Sequence, residues 1–155
     1  MTSAAVLLDP IAHRYLHVRA DVGAAYGDGV MAALTVPDEF RHVQGHFPIL
    51  FRKEDGADDF MALAMLGLER GENLFLKGDQ WDAAYRPWSL AVQPFLVGRA
   101  SDDEATAQVH IDLASPRLSA AEAGTMALFD DAGEVTPFLD QKVQLLSALD
   151  GGMQT

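Results

Sequence analysis

The chain has no cysteine, which excludes disulfides, thiolate zinc sites, iron–sulfur clusters and cysteine nucleophiles. Positive charge is also scarce. Eleven Lys and Arg stand against 23 Asp and Glu, giving a formal net charge of −12 at pH 7. Such a surface repels a phosphate backbone, so nucleic acid is not an expected partner. Long apolar runs are missing as well: the stretch 61–68 falls far short of the roughly 20 residues a spanning helix needs, and membrane insertion is not expected. The start lacks a basic segment, and the apolar stretch from Ala4 to Leu8 is too short for a secretory signal, which points to a cytoplasmic protein. There is no Gly-x-Ser-x-Gly elbow and no Walker A loop, and the pair Gly27 and Gly29 lacks the third glycine of a dinucleotide loop.

What is present suits one globular domain over residues 1–155, with 49% hydrophobic side chains available for a core. Alternation from Tyr15 to Ala20 predicts a strand, with 30–36 as its partner across the turn at 27–29. Pro37, Asp38 and Glu39 open a short helix that Gly45 closes, its apolar side being Phe40 and Val43. Three short strands then form a meander: a buried one at 47–51, a returning one at 60–66 after the polar loop 52–59, and a third at 73–77. Pro87 opens a brief helix that Pro94 stops, and strands at 95–99 and 108–113 flank the acidic turn 101–104. Thr136 and Pro137 begin a terminal helix carrying Phe138, Leu139, Val143, Leu145, Leu146 and Leu149, which Gly151 and Gly152 end. The fold class is α+β, mainly antiparallel sheet or meander with short helices and a C-terminal helix.

Five histidines are the candidate metal ligands. His13 with His17, and His42 with His46, have the i,i+4 spacing that chelates a metal on a helix, and His110 beside Asp112 could supply a third ligand. The first pair lies in strand-like sequence and the second is interrupted by Gly45, so ordinary histidines are the stronger reading and no metal or other cofactor is predicted. The acidic groups Asp55, Asp58 and Asp59, then 102–104, then Asp130, Asp131 and Glu134, fit no EF-hand spacing and read as solvated turns.

The most specific stretch is 65–88, which holds three glycines, both tryptophans and a tyrosine. Trp81, Tyr85 and Trp88 offer amphipathic faces, and Glu72, Asn73 and Arg86 offer hydrogen bonds, a mixture suited to a small-molecule or peptide pocket. The competing reading packs Trp81 and Tyr85 in the core and uses Asn73 and the glycines for tight turns.

Several blocks together resemble the SapC family of bacterial proteins. They are His13 in a His-x-x-Leu start, Phe47-Pro48-Ile49-Leu50-Phe51, Leu66-Gly67-Leu68, and Gly71-Glu72-Asn73-Leu74-Phe75 followed by Trp81, Tyr85 and Pro87. Pro94-Phe95, Leu128 to Gly133, and Thr136 to Leu139 match too. Phe47 stands where the family usually has tyrosine, and Val92-Gln93 where it has an arginine pair. The resemblance implies a short member, or a fragment of a longer protein, with no catalytic residues to transfer. The family name implies a surface-layer secretion role, and the company its genes keep implies an accessory part in substrate uptake or modification. A peptide permease of the same name is an integral membrane protein and does not fit this chain.

The leading expectation is a non-enzymatic accessory or binding protein whose contacts are Glu72, Asn73, Trp81, Tyr85, Arg86 and Trp88, with a peptide, an amino-acid derivative or a protein as partner. The alternatives are a metal-dependent oxygenase or hydrolase built on the histidines, and a structural subunit that homodimerises through uncovered strand edges.

Overall fold

A computed structural model describes residues 4–100 and 103–154. The chain folds as α+β, and its contacts gather into two compact units: 1–21 with 92–147, and 22–91 with 148–155.

The first unit contains β1 (Ala5–Leu7), β2 (His17–Arg19), β8 (Phe95–Ala100), β9 (Asp103–Asp112), β10 (Leu118–Ser119) and β11 (Thr125–Ala127). Two antiparallel sheets result, in the orders β1-β9-β8 and β10-β2-β11. The expected strands on either side of the acidic turn are β8 and β9, in register at Phe95 with Ile111, and both of those side chains are buried. Residues 101 and 102 of that turn lie outside the described residues. The strand expected near Tyr15 is β2, but its neighbours are β10 and β11 rather than 30–36. The reason is local: Ala24–Tyr26 forms a 3-10 turn, and the buried Asp28 carboxylate accepts from Gly23 N–H at 2.9 Å. This redirects the chain instead of closing a hairpin.

The second unit holds β3 (Ala32–Thr35), a 3-10 turn Pro37–Glu39, α1 (Phe40–Val43), β4 (Ile49–Lys53), β5 (Phe60–Met65), β6 (Leu76–Lys77), β7 (Gln80–Trp81) and α2 (Trp88–Ala91). Its main sheet runs β3-β5-β4, with β5 central. Ala33, Val43, Phe47, Ala64, Leu66 and Leu90 form the core, bordered by the partly buried Phe75, Trp81 and Tyr85. The predicted meander is corrected here. Asn73 is not in a strand: its side-chain oxygen accepts from Phe75 N–H at 3.0 Å and turns the chain, leaving only the two-residue strands β6 and β7 paired with each other. The third strand of the sheet is β3. The 47–51 segment is likewise only half buried: Phe47 is in the core, whereas Leu50 and Phe51 are 54% and 62% exposed because β4 is an edge strand.

The closing helix α3 (Pro137–Met153) starts as expected. Pro137 occupies its first turn, and Thr136 Oγ1 accepts from Leu139 N–H at 3.3 Å. It does not end at the glycines, since both Gly151 and Gly152 are helical. Gly152 is needed for close approach: a Cβ there would come within 2.6 Å of Val36 Cγ2, whereas a Cβ on Gly151 would meet nothing within 4 Å. Among the described residues, no helix is long and apolar enough to cross a membrane.

The two glycines therefore respond oppositely to alanine. Gly151→Ala should raise stability by up to about 1 kcal/mol through helix propensity. Gly152→Ala should lower it by about 1 to 2 kcal/mol through overpacking against the stiff, buried Val36. Thermal melts of the two variants check the sign; a gain at both positions would contradict the close packing.

Candidate functional site

The segment 65–88 is drawn inward by its own polar groups. Glu72 turns back on its loop, and its Oε2 accepts from Leu68 N–H at 2.7 Å and Glu69 N–H at 3.3 Å. Gly67 makes this possible, since a Cβ there would lie 2.4 Å from the Glu72 carbonyl oxygen. Asn73 uses both ends of its amide, donating to the Asp28 carbonyl at 2.8 Å while accepting from Phe75 N–H. The Trp81 indole N–H donates to the Tyr85 carbonyl at 2.7 Å, and its ring meets Phe47 edge-on at 6.3 Å.

Two buried acids outside the expected contact set, Glu39 and Asp28, anchor these groups. Glu39, fully buried, accepts from Thr35 Oγ1–H at 2.7 Å on one oxygen, and on the other from Tyr85 O–H at 2.6 Å and Trp88 N–H at 2.7 Å. Burying a carboxylate without donors is prohibitively costly, and three short bonds to its charged form offset that cost. Asp28, also fully buried, pairs with Arg86 Nη2 at 2.6 Å. The Arg86 guanidinium lies 6.0 Å from the Trp81 ring centroid, in cation–π range. Both acids had local disguises: Glu39 sits in a helical first turn, where an acid normally faces solvent and complements the dipole, and Asp28 sits between two glycines in a turn.

Five of the six predicted contact residues, Asn73, Trp81, Tyr85, Arg86 and Trp88, thus meet around Glu39 and Asp28, while Glu72 caps a neighbouring loop. The side-chain polar ends of Asn73, Trp81 and Tyr85 are engaged within the unit, whereas Arg86 Nε is buried with no hydrogen-bond partner, as is Ser89 Oγ.

The histidines serve separate local purposes. His42 and His46, both exposed, stack on Tyr85 with ring centroids 5.6 and 6.0 Å away. In the first unit, His13 Nδ1 accepts from Asp9 N–H at 2.9 Å, and His17 Nδ1 bonds Thr125 Oγ1 at 3.0 Å. His110 lies over Gly98, where any Cβ would collide with the imidazole at 2.1 Å. Among the described residues, no group of three or more His, Asp or Glu is arranged to hold a metal ion. The Asp9 carboxyl is held below the usual carboxylate range by the N–H groups of Ala12 and Ile11, a turn-forming role.

Open concave surface is found elsewhere. In the second unit a groove of about 580 Å³ is lined by Phe40, Phe51, Glu54, Asp59, Phe60 and Met153. In the first, a hollow of about 550 Å³ is bounded by Arg14, Tyr15, His17, Phe129 and Asp131. The Arg14 guanidinium there donates to the Asp131 carbonyl.

Burial, and then the hydrogen bond to Glu39, push the Tyr85 phenol well above its ordinary value. A folded pKa above the unfolded one means that the bound proton stabilises the fold below pH 10 and that this stability is lost as pH rises beyond it. Tyr85→Phe should therefore cost roughly 1 to 3 kcal/mol at neutral pH, by leaving Glu39 one donor short, and should flatten the alkaline fall in stability. Glu39→Ala strands three donors and should cost about 3 kcal/mol or more. Denaturant unfolding at pH 7 and pH 10.5 measures both effects; a Tyr85→Phe variant as stable as the parent would show that the phenol contributes nothing.

A significant match to the chain was found neither among curated proteins nor among solved structures. The family model described as SapC matches residues 8–155, nearly the whole chain including both buried acids and every residue they hold, and the chain therefore belongs to the SapC family.

Proposed function

We propose that this SapC-family chain is a non-enzymatic accessory protein whose second unit binds a partner polypeptide. The observation that carries this reading is the groove beside the β4–β5 hairpin, where Phe51 and Phe60 are 62% and 64% exposed next to Phe40 and Met153. Exposed aromatic side chains concentrated around one depression are characteristic of interaction surfaces. The residues first expected to touch the partner, Asn73, Trp81, Tyr85, Arg86 and Trp88, act in this reading as the support that keeps the groove in shape. Their hydrogen bonds are directed at Glu39, Asp28 and the local backbone, which favours support over contact. The family name then suggests the setting, an accessory step in surface-layer secretion or in substrate uptake and modification.

Selection of random displayed peptides on the intact protein tests the proposal. Selected peptides should bind the Phe60→Ser variant at least about tenfold more weakly, with its melting temperature unchanged because Phe60 is largely exposed. Enrichment of no peptide, or equal binding by the variant, would sink it.

A further inference from the structure

The geometry points to β-strand addition: we propose that the groove takes an extended, cationic peptide that pairs with the free edge of β4. This rests on the reading of the groove as a partner site and names the occupant's chemistry.

The first support is the backbone. In the antiparallel pair β4–β5, Met65 N–H donates to the Pro48 carbonyl at 2.9 Å, so the 48/65 position is of the hydrogen-bonded kind. The register continues Ile49 with Ala64, Leu50 with Leu63, Phe51 with Ala62, Arg52 with Met61 and Lys53 with Phe60. Hydrogen-bonded and non-hydrogen-bonded pairs alternate along such a ladder. Leu50 and Arg52 therefore direct their N–H and C=O groups at β5, while Ile49, Phe51 and Lys53 direct theirs outward. β4 ends the sheet order β3-β5-β4, so among the described residues no strand meets those outward groups. They form a template spaced for every second residue of an incoming strand.

The second support is that Phe51, one of these outward-directed residues, also lines the groove. Phe51 and Lys53 lie on the face of Ala62 and Ala64, which are buried, and Phe51 meets Phe40 edge-on at 6.1 Å. Lys53 Nζ sits 5.8 Å from the Phe60 ring centroid, on the same face at the hairpin end. A strand added to β4 would thus send alternate side chains over Phe51 and Phe60, where apolar groups fit.

Charge selects the third property. Among the described residues the groove lining holds Glu54 and Asp59 and no Lys or Arg; Glu54 also pairs with Arg52 at 3.2 Å, and Lys53 stands beside Phe60 at the hairpin end, in a chain whose net charge is −12. A cationic peptide complements that lining, whereas a second copy of the chain would bring a matching −12 against it.

Fluorescence polarisation with a labelled peptide of alternating lysine and valine tests the proposal on the intact protein. The peptide should bind, and the same peptide N-methylated at alternate residues should bind at least about tenfold more weakly, because its pairing N–H groups are gone. Lys53→Pro should cause a similar loss while retaining the fold, because the N–H it removes points away from β5. The double variant Glu54→Lys with Asp59→Lys should bind the lysine–valine peptide at least about tenfold more weakly and favour a glutamate–valine peptide. Equal binding of the methylated and unmethylated peptides overturns strand addition whether or not the proline variant folds. A dimer seen by light scattering that Lys53→Pro disperses would make the occupant a second copy and overturn the peptide assignment. If the lysine–valine peptide fails while selected peptides of other pattern still depend on Phe60, strand addition falls and the partner-binding reading stands.

Discussion

A carboxylate sealed from water by a small unit must be met by donors, and the second unit is arranged around meeting Glu39. Three neutral donors come from three places in the sequence: the end of β3 through Thr35, the loop at Tyr85, and the start of α2 through Trp88 N–H. Satisfying one buried charge thereby fixes where the 3-10 turn, the loop 82–87 and α2 stand against each other. Buried hydrogen bonds of this kind add modest net stability when complete and cost much more when one partner is missing. Glu39 thus acts chiefly as a device for specificity, making other arrangements of these segments expensive.

Asp28 repeats the principle with a cation. Its ion pair with Arg86, the Asn73 bond to its carbonyl and its own acceptance from Gly23 N–H join the start of the unit to the segment 73–86. Together the two acids tie down the aromatic residues, so that Trp81 and Tyr85 border the core with their polar atoms satisfied. The β4–β5 hairpin receives no comparable cover. Its outer strand offers backbone groups at alternate residues, and its aromatics remain in solvent. The satisfied polar contacts on one side and the unclosed edge on the other are the features on which the proposed partner binding rests.

Element type was largely readable along the chain because it depends on local periodicity and on capping chemistry. The terminal helix, the β8–β9 hairpin and the short helix after Pro37 all follow from such signals. Partner choice was not readable. The strand near Tyr15 pairs with β10 and β11, about a hundred residues away, and local alternation carries no information about a strand so distant. Gly151 and Gly152 look like a helix stop because glycine is a poor helix former, yet the need for contact with Val36 overrides propensity at Gly152.

Family membership and α+β character were determined by the sequence itself, through the blocks around Gly71–Phe75, Trp81 and Tyr85 and through the period of the apolar residues. Tertiary structure alone decided what those blocks do. Whether an acid is solvated or sealed depends on which distant segments close over it, so Glu39 and Asp28 looked like ordinary turn and helix-start residues. Whether an aromatic is core or contact depends on the same closure: Tyr85 is held against Glu39, and Phe60, in a segment that reads as an inner strand, is left in the open.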